Sequence, residues 1–140
     1  RPSQNIKVAG EQLITQDWWS KTLPKLHPFI STFVLDEISV GDKEQVIKRI
    51  ELVSSFEVLQ QTPEVKELAL TYIKVLQIPA KSKIDAYHLA IASIFEINYM
   101  VSWNCKHIAN PFLTNKIIKV NKDFSLPAPV ICTPREMLGE

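Results

Sequence analysis

The sequence predicts an α/β sandwich built on a largely parallel sheet. Three observations carry that prediction. Short β-branched or aromatic runs alternate with longer segments of helical periodicity. The stretch Ile84 to Asn110 joins a nearly all-apolar helix to a short apolar strand that ends in polar residues. The chain has 140 residues and no internal repeat, linker or low-complexity tract, so one domain over 1–140 with a single core is expected.

The elements follow in order. Ser3 suits the N-cap of a helix from about Asn5 to Trp19, continuing towards Leu23 before Pro24. Pro28 to Thr32 reads as a short strand, and Val34 to Val40 as a short helix stopped at Gly41. Asp42 is placed to cap the next helix, Lys43 to Val53, where Val46, Ile47, Ile50 and Val53 form one face. Phe56 to Leu59 is a second strand. Pro63 opens a helix whose buried face carries Val65, Leu68, Ala69, Tyr72, Ile73 and Leu76. Gln77 to Ser82 is a loop around Pro79. From Ile84 to Ile97 only Asp85, His88, Ser93 and Glu96 are not apolar, so that helix packs on most of its surface. Asp85 and His88 are one turn apart and share a face, with Glu96 on roughly the same stripe. Tyr99 to Trp103 reads as a buried strand. Pro111 to Phe124 is a further helix, Val130 to Cys132 a last strand, and Pro134 starts a final turn.

Composition excludes several classes. No apolar run reaches the roughly 20 residues of a membrane span. The formal net charge is only +1, so contact with nucleic acid has to come from a local patch. The glycines Gly10, Gly41 and Gly139 are isolated, which argues against a phosphate loop or a dinucleotide fingerprint. Cys105 and Cys132 have no paired spacing and read as free thiols of a reducing cytosol. Cys105 and His107 lack the second ligand pair that structural zinc needs.

Asp85 is the first candidate for chemistry. A charge at the start of a buried helix is costly unless it has a partner or a task, although an acid there also answers the helix dipole. Asp36 and Glu37 are adjacent acids in an apolar setting, which suits one facing a site and one facing solvent. Asn104 follows the strand Tyr99 to Trp103 and is either a site amide or a turn residue. In open α/β sheets ligands bind at the carboxyl ends of strands. Lys81, Lys83, Lys106 and His107 lie near those positions and suit contact with a backbone phosphate, or a solvated surface. His88 reads as a satisfied core histidine. Trp18 and Trp19 point different ways on one helix and suit core packing plus an oligomer contact.

The pattern Asp85-x-x-His88-Leu89-Ala90-x-Ala92, then a strand, then Trp103-Asn104-x-Lys106-His107, resembles the C-terminal half of a PIN domain. It is similar to the bacterial subgroup of VapC-type toxins. Arg1 to Trp19 resembles that subgroup's first helix, Val34 to Asp42 its second acidic segment, and Val130 to Met137 its last strand and turn. The resemblance implies a three-layer sandwich around a central, mostly parallel sheet. It implies a cytoplasmic, toxin–antitoxin type endoribonuclease, dependent on Mg²⁺ or Mn²⁺, that hydrolyses RNA, binds an antitoxin protein and forms a homodimer. Glu37, Asp85 and Asn104 would then be the catalytic and metal-binding residues, with Asp36 competing for the place of Glu37. Lys83, Lys106 and His107 would contact RNA. Clustered acids suit this chemistry because a hard divalent cation takes oxygen ligands and neutralises charge on the scissile phosphate.

Two departures bear on these expectations. Asn104 stands where many PIN domains carry another Asp, so a charge is lost. The chain opens at Arg1, past the point where the family has a central strand ending in an acid. The first strand and first acidic ligand are therefore expected to be missing, leaving weak metal binding, or the chain is a non-catalytic PIN-like module that binds RNA or protein.

Overall fold

The computed structural model describes residues 6–103 and 108–138, with the backbone alone for 6–11. The proposed N-cap Ser3 and the site candidates Asn104, Lys106 and His107, with Cys105, lie outside the described residues. Helix α1 (Ile6–Lys21) leads through a 3-10 turn to strand β1 (Phe29–Ser31). Helices α2 (Thr32–Ile38) and α3 (Lys43–Leu52) precede β2 (Glu57–Leu59). Helix α4 (Pro63–Val75), a second 3-10 turn and α5 (Lys83–Ile94) lead to β3 (Tyr99–Val101). Helix α6 (Pro111–Asp123), β4 (Val130–Cys132) and α7 (Pro134–Met137) complete the order. None of the described helices is long and apolar enough to cross a membrane.

Local chemistry sets the helix starts. The side chains of Ser31, Asp42, Thr62 and Asn110 each accept a backbone N–H from the first turn of the helix that follows. Thr133 and Glu136 form a reciprocal capping box on α7. Each such cap contributes about 1 kcal/mol. Ser31 also explains why Thr32 opens α2 instead of closing β1, two residues ahead of the expected helix start at Val34.

The helix ends follow one pattern. Gln77, Glu96 and Ser125 have φ of 54°, 54° and 57°. The next amide in each case reaches back to the helix: Ile78 to the Ile73 carbonyl, Ile97 to Ala92, and Leu126 to Asn121, at 3.1, 2.8 and 2.8 Å. These are Schellman ends with a non-glycine residue in the left-handed position. They also correct the expected helix Ile84–Ile97. It stops at Ile94, and Glu96 leaves the stripe that Asp85 and His88 share.

The core lies between α4, α5 and α6. Val65, Leu68, Ala69 and Tyr72 pack with Ala86, Leu89 and Ala90, all fully buried, and Ile117 and Val120 close the layer. The core includes a closed polar ring. Tyr72 Oη donates to Asn121 Oδ1, Asn121 Nδ2 donates to Ser93 Oγ at 2.9 Å, and Ser93 Oγ lies 3.0 Å from Tyr72 Oη. Asn121 Nδ2 also donates to the Pro127 carbonyl at 3.0 Å, so the ring ties three helices to the loop before β4. Each buried polar atom of the ring finds a partner, which is the condition for tolerating it in a core.

The strands pair in parallel, as expected, but the described residues form two separate sheets and not one central sheet. β1 pairs with β2, with Ile30 opposite Val58, and β3 pairs with β4, with Met100 opposite Ile131. Tyr99 is 49% exposed, so β3 is not the fully buried strand its composition suggests. The reason is topological: a strand paired along one edge only, beside a cavity, is covered on fewer sides.

Candidate functional site

A cavity of about 450 Å³ separates the two sheets. All three residues of β1 and all three of β3 line it. Successive strand side chains alternate between faces. A cavity touched by three consecutive residues therefore abuts the strand edge and not one face. Helix α1 contributes Thr15, Trp18 and Trp19, and α5 contributes Asp85, His88, Ile91 and Ala92. Trp103 Nε1 donates to Thr15 Oγ1 at 2.6 Å and so ties the segment after β3 to α1. Trp19 stacks on Phe56 with ring centroids 5.7 Å apart. A larger groove of about 1020 Å³ runs between α6 and β4, but among the described residues Lys122 and Glu136 are its only charged lining. Chemistry, and not size, selects the smaller cavity.

Glu37 and Asp85 both line that cavity, and Asp36 does not. The Ser31 cap phases α2, which places Phe33 and Glu37 on one face and turns Asp36 to solvent. Asp85 sits half-buried in the first turn of α5, where the positive end of the dipole favours its charge. Lys83 is exposed at the start of the same helix and does not line the cavity. Asn104 follows Trp103, which does, but itself lies outside the described residues, as do Lys106 and His107.

Sequence reasoning missed the partner of Glu37. His88 Nε2 lies 3.1 Å from Glu37 Oε1 and bridges α5 to α2. His88 is thus a cavity residue with 20% of its side chain exposed, and not a core histidine. The one available signal was its spacing from Asp85, which puts both on one face.

The described ionisable residues of the lining are Glu37, Asp85, His88 and the phenol of Tyr99, and no Lys or Arg is among them. The two carboxylates of the described lining attract a cation and by themselves repel a phosphate. Carboxylate oxygens are the donor type that Mg²⁺ and Mn²⁺ take, and Mg²⁺ is ordinarily held by one or two carboxylates together with waters and substrate phosphate. Two carboxylates fit that arrangement. They fall short of a self-sufficient centre: among the described residues no group of three or more His, Cys, Asp or Glu side chains is placed to hold a metal ion.

Searched against known proteins, the chain matches no family model, no curated protein and no solved structure.

Proposed function

We propose that this chain is a PIN-like ribonuclease domain of toxin type, which hydrolyses RNA phosphodiester bonds with Mg²⁺ or Mn²⁺ in the cavity between the two sheets. The observation that carries this reading is that Glu37 and Asp85, from helices far apart in sequence, both line one cavity, with no Lys or Arg among its described lining residues. When bound, the cation supplies a water of lowered pKa and neutralises charge on the phosphate. Glu37 and Asp85 would hold it, with Asn104 orienting a water. Lys83, Lys106 and His107 would steer the RNA backbone from outside the cavity.

The full sandwich belongs to the same proposal. Among the described residues β1 and β3 each leave one edge unpaired beside the cavity, and the buried indole N–H of Trp18, 8% exposed, finds no acceptor. A parallel strand ahead of α1 would join both sheets into one, offer a carbonyl to that indole and bring a further acid. An antitoxin protein, self-association and a cytoplasmic location follow from the same reading.

The test is cleavage of single-stranded RNA with Mg²⁺ or Mn²⁺, with and without chelator. Asp85→Asn keeps the shape, removes a charge the cation requires and is expected to abolish cleavage while the fold persists. Full activity of that variant, or cleavage in excess chelator, would sink the metal mechanism. RNA binding without cleavage would favour the non-catalytic PIN-like module.

A further inference from the structure

We propose that His88 is a positioning residue: it holds one oxygen of the Glu37 carboxylate so that the other is presented to a divalent cation in the cavity. The proposal rests on the metal-dependent reading above and adds a residue to it.

The atoms assign the proton. An ionised carboxylate only accepts, so the 3.1 Å contact requires the hydrogen on His88 Nε2. That nitrogen then has no lone pair for a metal. His88 is therefore not a ligand through Nε2, and Glu37 Oε2 is the oxygen left unclaimed by it.

The imidazole is itself held in place. The Phe33 ring meets it edge-on, with centroids 6.4 Å apart and planes at 89°, and packs against Tyr87 at 5.2 Å. Phe33 stands one turn before Glu37 on α2, and His88 one turn after Asp85 on α5. The same two helices thus carry both acids of the cavity lining and the His88–Glu37 contact. Glu37 needs that contact: its side chain is 55% exposed, and a long flexible carboxylate loses rotamer freedom on binding a cation. Hydrogen-bond partners of ligating carboxylates typically govern about 10–100-fold in metal affinity.

The experiment uses the whole chain. In the wild-type protein without metal, the ¹⁵N resonances of His88 are expected to show hydrogen on Nε2, and the neutral tautomer with hydrogen on Nδ1 would overturn the proposal without any variant. H88F keeps a ring against Phe33 but removes the donor, whereas H88Q restores an N–H. The ¹³C carboxyl resonance of Glu37 is expected to move in H88F and to return towards its place in H88Q. Calorimetry should find Mn²⁺ affinity about tenfold lower in H88F, largely recovered in H88Q, with no added loss when H88F is combined with E37Q. An unmoved Glu37 resonance, or an equal loss in the E37Q background, would mean that His88 does not act through Glu37. If the wild-type chain binds no Mn²⁺ yet the Glu37 resonance responds to H88F, the His88–Glu37 contact stands, but the metal reading falls and the proposal with it.

Discussion

Trp103 Nε1 donates to Thr15 Oγ1 at 2.6 Å, and this bond joins the exit of β3 to the middle of α1 along the cavity wall. Thr15→Val keeps the shape and removes the acceptor. The indole N–H is part-buried, so its loss of partner is expected to cost about 1–2 kcal/mol. Chemical denaturation should show a lower midpoint at unchanged slope. An unchanged midpoint would mean that water replaces the hydroxyl at no cost.

The edges of β1 and β3 that no described strand pairs make a second expectation. A segment of about five Val- and Ile-rich residues ending in Asp, fused ahead of Arg1, should enter the cavity as a strand. Thermal melting of the extended form is expected several degrees above that of the 1–140 chain, with tighter Mn²⁺ binding. Equal melting temperatures and equal affinities would mean that the cavity is not a strand slot, and would count against the PIN-like assignment itself.

Tyr72 ties stability to alkaline pH. Burial pushes its hydroxyl up to about 12 from an ordinary value of 10.0, against the smaller downward pull of Ser93 and Asn121. The unfolded chain therefore loses this proton first. The stability that the protonated ring contributes is fully present below pH 10 and declines as pH rises towards 12, by about 1.4 kcal/mol per pH unit. Tyr72→Phe should flatten that window. It should also lower stability near neutrality by about 1–3 kcal/mol, since Asn121 Oδ1 loses its buried donor. Denaturation midpoints measured from pH 7 to 12 in both proteins check this, and parallel curves would exclude Tyr72 as the source.

The left-handed residue after α4 gives an opposite sign. Gln77 is exposed and has φ 54°, while the buried Ile78 behind it makes the capping hydrogen bond. Gln77→Gly relieves the Cβ clash, keeps that bond and is expected to stabilise by about 1 kcal/mol. A lower melting temperature would show that the glycine's unfolded-state entropy outweighs the relief.

Much of this protein was legible in its sequence because it is decided within one or two turns of chain. Proline and capping residues mark where helices begin, and Pro63, Pro111 and Pro134 each stand in a first helical turn. Apolar periodicity identified the buried face of α4. Helix ends were less legible: nothing local in Glu96 announces a left-handed residue, because its conformation serves the packing of Ile97. Only the tertiary structure decided the rest. Asp36 and Glu37 are equivalent by composition, and the phase of α2 against α5 chose Glu37 for the cavity. His88 looked like a core residue until a carboxylate distant in sequence stood beside it. The strands were visible as short apolar runs, but which edges pair and which face a cavity depends on long-range backbone hydrogen bonds. Those bonds form between segments that carry no mark of each other, so their pairing is a property of the packed chain alone.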